Sequence, residues 1–302
     1  MKRKTYFIIV SVIIAMTILI PVYTGFGRGQ SQGVSADEIK KMEDAMPTEP
    51  VVKPAKPRKL LVFSLTMGFV HTSMPYWDKA LEIMGKKTGA FEVVISKDPD
   101  VFLPDSLKQF DAICFNNTVG LNFSPEKTPE ICNSIMDFIK GGKGVIGIHG
   151  ATDNFNNWPE ARKMFGTYFT SHPWTAGGGW AVKIDEPDHP LMASFKGHKG
   201  FRIDDEIYLT NNPLYSRDDR LVLMSVNMDD EVTRTTARAG NELDTGISWI
   251  REVEKGRLFY CSLGHQHAVT WTKPILEHYL RGIQFALGDL KCDATPKGAK
   301  TK

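Results

Sequence analysis

The stretch Gly144-Val145-Ile146-Gly147-Ile148-His149-Gly150-Ala151-Thr152-Asp153-Asn154 constrains the fold more than any other part of the chain. A short run of small and β-branched residues ending in a glycine-flanked polar turn reads as a buried parallel strand. Such strands deliver their last residues to the carboxyl edge of an open α/β sheet, where ligands bind. His149 is the residue so delivered. Gly147 and Gly150 bracket it as glycines bracket a sharp strand-to-helix turn that presents one side chain, but no Ser or Cys nucleophile stands there. The chemistry expected at this point is that of an imidazole. The plainer reading is a core histidine hydrogen-bonded to backbone.

The neighbouring pattern repeats the theme. Residues 59 to 65 read as a first strand, followed by a loop with His71 and a helix opened by Ser73 and Pro75, whose Trp77, Ala80, Leu81 and Met84 fall on one face. Residues 91 to 96 and 110 to 116 are further strands, the second leaving into Asn116, Asn117 and Thr118. Thr128 and Pro129 open the next helix, and Gly141-Gly142 stop it. This alternation predicts a doubly wound, mainly parallel sheet with helices on both faces. Beyond a short helix near Trp158 to Phe165, the pattern loosens into Ser171-His172-Pro173-Trp174 and Gly177-Gly178-Gly179-Trp180. Short strands at residues 180 to 184, 203 to 209 and 221 to 226 suggest an antiparallel extension, with Asp204-Asp205-Glu206 at one edge. A hairpin over residues 246 to 262 exits into His265, and Thr272 and Pro274 open a last helix.

At the N-terminus, Lys2-Arg3-Lys4 precedes an apolar run from Tyr6 to Tyr23. A basic start and an apolar run suit a signal peptide, yet the run approaches the roughly 20 residues that span a bilayer, so residues 1 to 23 read as a signal peptide or an uncleaved membrane anchor. Residues 24 to 58, with four prolines between Pro47 and Pro57, read as a semi-rigid tether, and residues 289 to 302 as a basic, frayed tail. The first 58 residues hold nine Lys/Arg and five Asp/Glu, leaving 28 against 30 in the remainder. A near-neutral domain without a basic patch excludes nucleic acid as the expected partner. The four cysteines lack zinc-knuckle spacing and read as buried thiols, although export would allow a pair to oxidise.

Five motifs in order carry a resemblance: Gly68-Phe69-Val70-His71-Thr72-Ser73, Gly147 to Asp153, Tyr168-Phe169-Thr170-Ser171-His172-Pro173, Asp205-Glu206-Ile207-Tyr208 and Gly256 to His265. Together, over residues 59 to 288, the chain resembles the ThuA-like, trehalose-utilisation family. The resemblance implies a flavodoxin-like fold of the class I glutamine amidotransferase type. Those enzymes use a Cys where this chain has His149, so it also implies the fold without glutaminase activity.

His71, His149 and His265 each follow a predicted strand and can converge on one rim, with His172 in reach. Imidazoles with one carboxylate suit a divalent metal such as zinc, and His71, His149, His172, His265 and Glu206 are the candidate ligands. Without metal, His149, His71, His265 and Asp153 are candidates for acid-base catalysis. Asn116, Asn117 and Glu206 would bind sugar hydroxyls, and Trp174 and Trp180 would stack on a sugar ring; core packing is the commoner fate of Trp. His189 and His198 read as surface turn residues, and His267 and His278 carry weaker signals. The function expected is that of an exported enzyme, an isomerase, lyase or hydrolase, on a small-molecule sugar or keto-sugar. The alternative is a non-catalytic carbohydrate-binding or scaffold protein at the cell envelope. The sequence leaves the oligomeric state open.

Overall fold

Nine strands form a single mixed sheet in the order β2-β1-β3-β4-β9-β8-β7-β5-β6. The computed structural model describes residues 33–240 and 242–298 of the 302-residue chain, and the basic, apolar segment of residues 1 to 23 lies outside them. In chain order the elements are α1 (Ala36–Ala45), β1 (Lys59–Phe63), α2 (Met74–Thr88), β2 (Glu92–Ser96), α3 (Pro104–Leu107), β3 (Ala112–Asn116), α4 (Pro129–Lys140), β4 (Gly144–Ile148) and α5 (Pro159–Phe165). They continue with β5 (Trp180–Ile184), β6 (Gly200–Ile203), β7 (Leu221–Val226), α6 (Glu231–Thr236), β8 (Gly246–Val253), β9 (Gly256–Cys261) and α7 (Lys273–Ala286). Strands β2, β1, β3, β4 and β9 pair in parallel, whereas β9, β8, β7, β5 and β6 pair antiparallel. The sheet is therefore evenly mixed, and the expectation of a mainly parallel one holds only for its first half.

Alternation along the parallel strands sends side chains to opposite faces. Leu60, Val62, Cys114, Ile146, Ile148 and Phe259 join one apolar cluster, while Leu61, Phe63, Ile113, Phe115, Val145 and Leu258 join the other. On the first face, Trp77, Ala80, Leu81 and Met84 of α2 are fully buried, so the spacing that predicts this helix also seats it. Neither Ser73 nor Thr128 caps its helix through the side chain; Pro near the first turn and glycine at the end mark the boundaries instead. The strand expected over residues 203 to 209 ends at Ile203. Beyond it the chain leaves β5: exposed Asp204 accepts from the Gly177 N–H, buried Asp205 from the Gly264 N–H, and the Ile207 and Leu209 N–H groups donate to the carbonyls of Trp174 and Ser171 instead.

Residues 33 to 58 are not a tether within the described structure. Ser35 and Glu38 close a capping box on α1, Met42 is buried, and Glu38 accepts from the Tyr76 hydroxyl at 2.9 Å. The proline segment behaves as a strap whose backbone groups find distant side chains. Gln284 accepts from Val51 N–H at 2.8 Å and donates to the Val52 carbonyl at 2.7 Å, and Arg58 forks onto Asp289. The tail is likewise held, with Leu290 and Ala294 buried. All four cysteines are free.

Two histidines, His189 read as a surface turn residue and His278 as a weak site candidate, prove structural. His189 accepts from Leu191 N–H through Nδ1 and meets the Asp293 carbonyl through Nε2 at 2.9 Å. His278 is fully buried, with Nδ1 donating to the Leu191 carbonyl and Nε2 on Ser248. Burial pushes His278 down to about 4. The folded state therefore prefers it neutral. Its contribution is complete above the unfolded value near 6.5 and is lost as pH falls towards 4, up to about 3 kcal/mol. Urea midpoints measured from pH 7 to 4.5 should fall, and the fall should be shallower in His278→Gln, which starts lower but has no proton to gain.

Candidate metal centre

The carboxyl ends of β1, β3, β4 and β9 define one rim, and the strand order reverses direction at β1, the kind of crevice where α/β sheets bind ligands. His149 stands at the end of β4 with φ 41°, in the left-handed region that a non-glycine residue enters at a cost of about 1–2 kcal/mol. The turn is locked from both sides. The Tyr260 hydroxyl donates to the His149 carbonyl at 2.8 Å, and the His149 ring donates from Nδ1 to the Ser262 carbonyl at 2.7 Å. That second bond fixes the tautomer, leaving the Nε2 lone pair facing the rim. Gly150 lets two loops close over the turn, since a Cβ there would lie 3.1 Å from His71 Cε1 and from Val119.

His71, His149, His265 and Glu206 each bring one ligand atom into a group whose members all lie within 4.8 Å of one another. Three of the spacings are tighter: His149 Nε2 to Glu206 Oε1 3.5 Å, His265 Nδ1 to Glu206 Oε1 3.4 Å, and His265 Nδ1 to His149 Nε2 3.3 Å. Zinc with ligands at about 2.0–2.1 Å in a tetrahedron separates its donors by about 3.3–3.4 Å, so these three atoms already have the edge lengths of one tetrahedral face. The three imidazole rings form a near-regular triangle, with centroids 4.8, 5.2 and 5.2 Å apart. His71 Nδ1 is buried without a well-formed hydrogen bond.

The electrostatics suit a cation. Burial, then the neighbouring imidazoles, push His71 down to about 2, and the same causes lower His265, so both keep free lone pairs at neutral pH. Burial works to raise Glu206, but bonding and charge from His149, His265 and His172 outweigh it and hold its carboxyl below the ordinary value. His172 stays at the solvent edge, its Nδ1 3.2 Å from the other Glu206 oxygen, outside the four-residue group.

The remaining candidates sort differently. Asn116 is fully used inside the fold, donating to Asp78 at 2.8 Å and to the Met74 carbonyl at 2.9 Å. Asn117 donates to Asn116 and is likewise buried. Trp174 and Trp180 offer no stacking face: both are buried, their indole N–H groups donating to the carbonyls of Thr233 and Thr175. Asp153 is half-buried with its carboxyl raised by burial, and it is not one of the four. His198 stays exposed, and His267 stacks on Tyr76 and meets Thr72 near the rim.

Two residues carry parts that sequence reasoning did not assign. Tyr208 places its hydroxyl 3.5 Å from His71 Nε2 and its ring 4.4 Å from that of His149. Asp205, fully buried, accepts from Gly264 and Gln266 N–H at 2.6 and 2.7 Å and so holds the segment carrying His265. Burial pushes its carboxyl up to about 7, against His149 and the backbone N–H groups. The signal was the spacing in Asp205-Glu206-Ile207-Tyr208: in extended chain, Glu206 and Tyr208 face one side.

A mixed α/β sheet with a three-histidine, one-carboxylate centre on the rim of its parallel half defines the class. The family model described as ThuA, trehalose utilisation, matches residues 59–286, and the chain belongs to that family. Two solved structures share the fold. One is a putative ThuA-like protein from Bacteroides uniformis ATCC 8492, with TM-score 0.59 and 18% identity, covering 78% of this chain and 93% of that one. The other is a putative ThuA-like protein from Parabacteroides merdae ATCC 43184, with TM-score 0.56 and 18% identity, covering 80% and 96%. Among curated proteins none matches the chain.

Proposed function

We propose that the protein is an enzyme of carbohydrate utilisation, acting on a sugar or keto-sugar at a divalent metal, zinc by preference, held by His71, His149, His265 and Glu206. The observation that carries this reading is the spacing of Glu206 Oε1, His149 Nε2 and His265 Nδ1, each pair within 3.3–3.5 Å. Bound there with room for one more ligand, as catalytic zinc sites keep, the ion would supply Lewis acidity to a sugar oxygen. Around it, the Tyr208 phenol, kept protonated by burial, is a hydrogen-bond donor to a substrate oxygen. His172, at the solvent edge and anchored on Glu206, is placed to take up or return a proton as substrate enters. The class is isomerase, lyase or hydrolase. Elemental analysis of protein purified without chelator tests the reading: about one divalent ion per chain is expected, and its removal should abolish turnover.

The same imidazoles acting as acid and base without metal form a second reading, favoured by the His172–Glu206 contact. Strand order β2-β1-β3-β4 supports a flavodoxin-like, doubly wound arrangement for the parallel half. Glutaminase chemistry is not proposed. Cys114 and Cys261 are fully buried, and burial pushes both thiols up, Cys261 to about 12, which leaves no thiolate to attack. Glutamine hydrolysis that a cysteine alkylator abolishes would overturn this. The basic start and apolar run of residues 2 to 23 support export, with the domain held at or released from a membrane. No helix among the described residues is long and apolar enough to cross one. Cell fractionation tests the location, full-length protein in the cytosol being the contrary result.

A further inference from the structure

Among the described residues large apolar side chains are almost all covered, and three of the four that are well exposed stand together: Met67, Phe69 and Val70, at 58, 64 and 66%. They are not on a frayed loop. Met67 and Gly68 N–H both donate to the Val119 carbonyl at 2.9 and 3.0 Å, and Thr66 Oγ1 donates to the Phe69 carbonyl at 2.9 Å. The loop passes close to Gly120, where a Cβ would lie 3.0 Å from Gly68 N. A pinned backbone that holds three apolar side chains in water bears a hydration cost, and such patches mark binding surfaces. Its place is specific: the Phe69 ring stands edge-on to His71, centroids 4.9 Å apart, and so borders the metal centre. On the Tyr208 side, Phe169 packs 4.6 Å from the Tyr208 ring and 5.8 Å from His172.

A polar floor takes hydroxyls, and an aromatic wall takes the C–H face of a ring. One sugar ring satisfies the floor, while the patch from Phe69 to Met67 and Val70 extends the apolar surface beyond it. We propose that the 67–70 loop is the outer wall of the substrate site and that it selects a substrate carrying a further group beyond its first sugar. Its sugar lies at the histidine centre, and the attached group, an apolar aglycone or the C–H face of a second sugar, packs on Phe69. This rests on the reading of that centre as a sugar site.

Calorimetric titration of the full-length protein with methyl α-D-glucoside, phenyl α-D-glucoside and trehalose tests it. At least one of the larger two should bind about tenfold or more tightly than the methyl glucoside. Phe69→Ala should erase that preference and Phe69→Tyr should keep it, with melting temperature little changed because the side chain is 64% exposed. Preference for phenyl glucoside alone identifies an apolar aglycone, and preference for trehalose a second sugar. Equal affinities in the wild type, absence of binding by all three, or a preference that survives Phe69→Ala overturns the proposal. Metal uptake is measured separately. A failed preference with metal bound removes the loop proposal alone, and absence of metal with a preference that depends on Phe69 removes only the metal.

Discussion

Replacing His149 with alanine is expected to lower metal occupancy and turnover together, with activity falling by at least about 10²–10⁴-fold. Loss of a partner behind a ligand typically costs 10–100-fold in metal affinity, and His149 is itself a ligand in this reading, so the loss should be at least as large. The residue is held in a left-handed conformation at φ 41°, with its ring bonded to Ser262 and its carbonyl to Tyr260. Such strain persists only where surrounding structure enforces it. His172→Ala supplies the contrast, because His172 lies outside the four-residue group: metal should stay and turnover should fall. Metal retained in His149→Ala with turnover lost would favour the acid-base reading. Unchanged metal and unchanged turnover would remove His149 from both readings, and a wild type without metal or turnover would leave the scaffold reading.

The parallel half of this fold was legible because its constraints are local. Strands such as Val145-Ile146 and helices such as Trp77 to Met84 announce their buried faces by spacing alone, and His149 announces itself by the glycines around it. The pairing of β4 with β9, which brings His265 beside His149, is a matter of topology that no local pattern encodes. The same limit explains the strap over residues 46 to 58. Prolines without nearby partners read as a linker, whereas Gln284 and Asp289, more than 230 positions away, supply the bonds. Ser35 and Glu38, three apart, were a readable helix start within that segment. Trp174 and Trp180 misled for a related reason: an indole beside a glycine-rich turn looks the same in sequence whether its N–H faces a sugar or an inner carbonyl. The exposed aromatic next to the centre is Phe69, which stands in the motif around His71.

Asp205→Ala is the substitution expected to damage the fold most, by about 4 kcal/mol. The carboxylate is fully buried and accepts from Gly264 and Gln266 N–H at 2.6 and 2.7 Å. Alanine leaves both donors buried without this acceptor, and each such donor costs about 1–3 kcal/mol. Gly264 admits no easy rearrangement, since its carbonyl accepts from Trp77 Nε1 at 3.1 Å and a Cβ on it would meet Ile148 at 2.9 Å. The segment that loosens carries His265, so metal affinity should fall with stability. Asparagine separates the two effects. It preserves the volume and one acceptor oxygen, but turns an amide N–H towards the remaining donor, so about 2 kcal/mol of stability should be lost while the fold survives. In that folded variant the affinity for zinc, measured by competition with a chelating dye, should drop about 10–100-fold although every ligand side chain is intact. Wild-type zinc affinity in Asp205→Asn, together with wild-type urea stability in Asp205→Ala, would show that the 263 to 266 segment holds its place without this carboxylate.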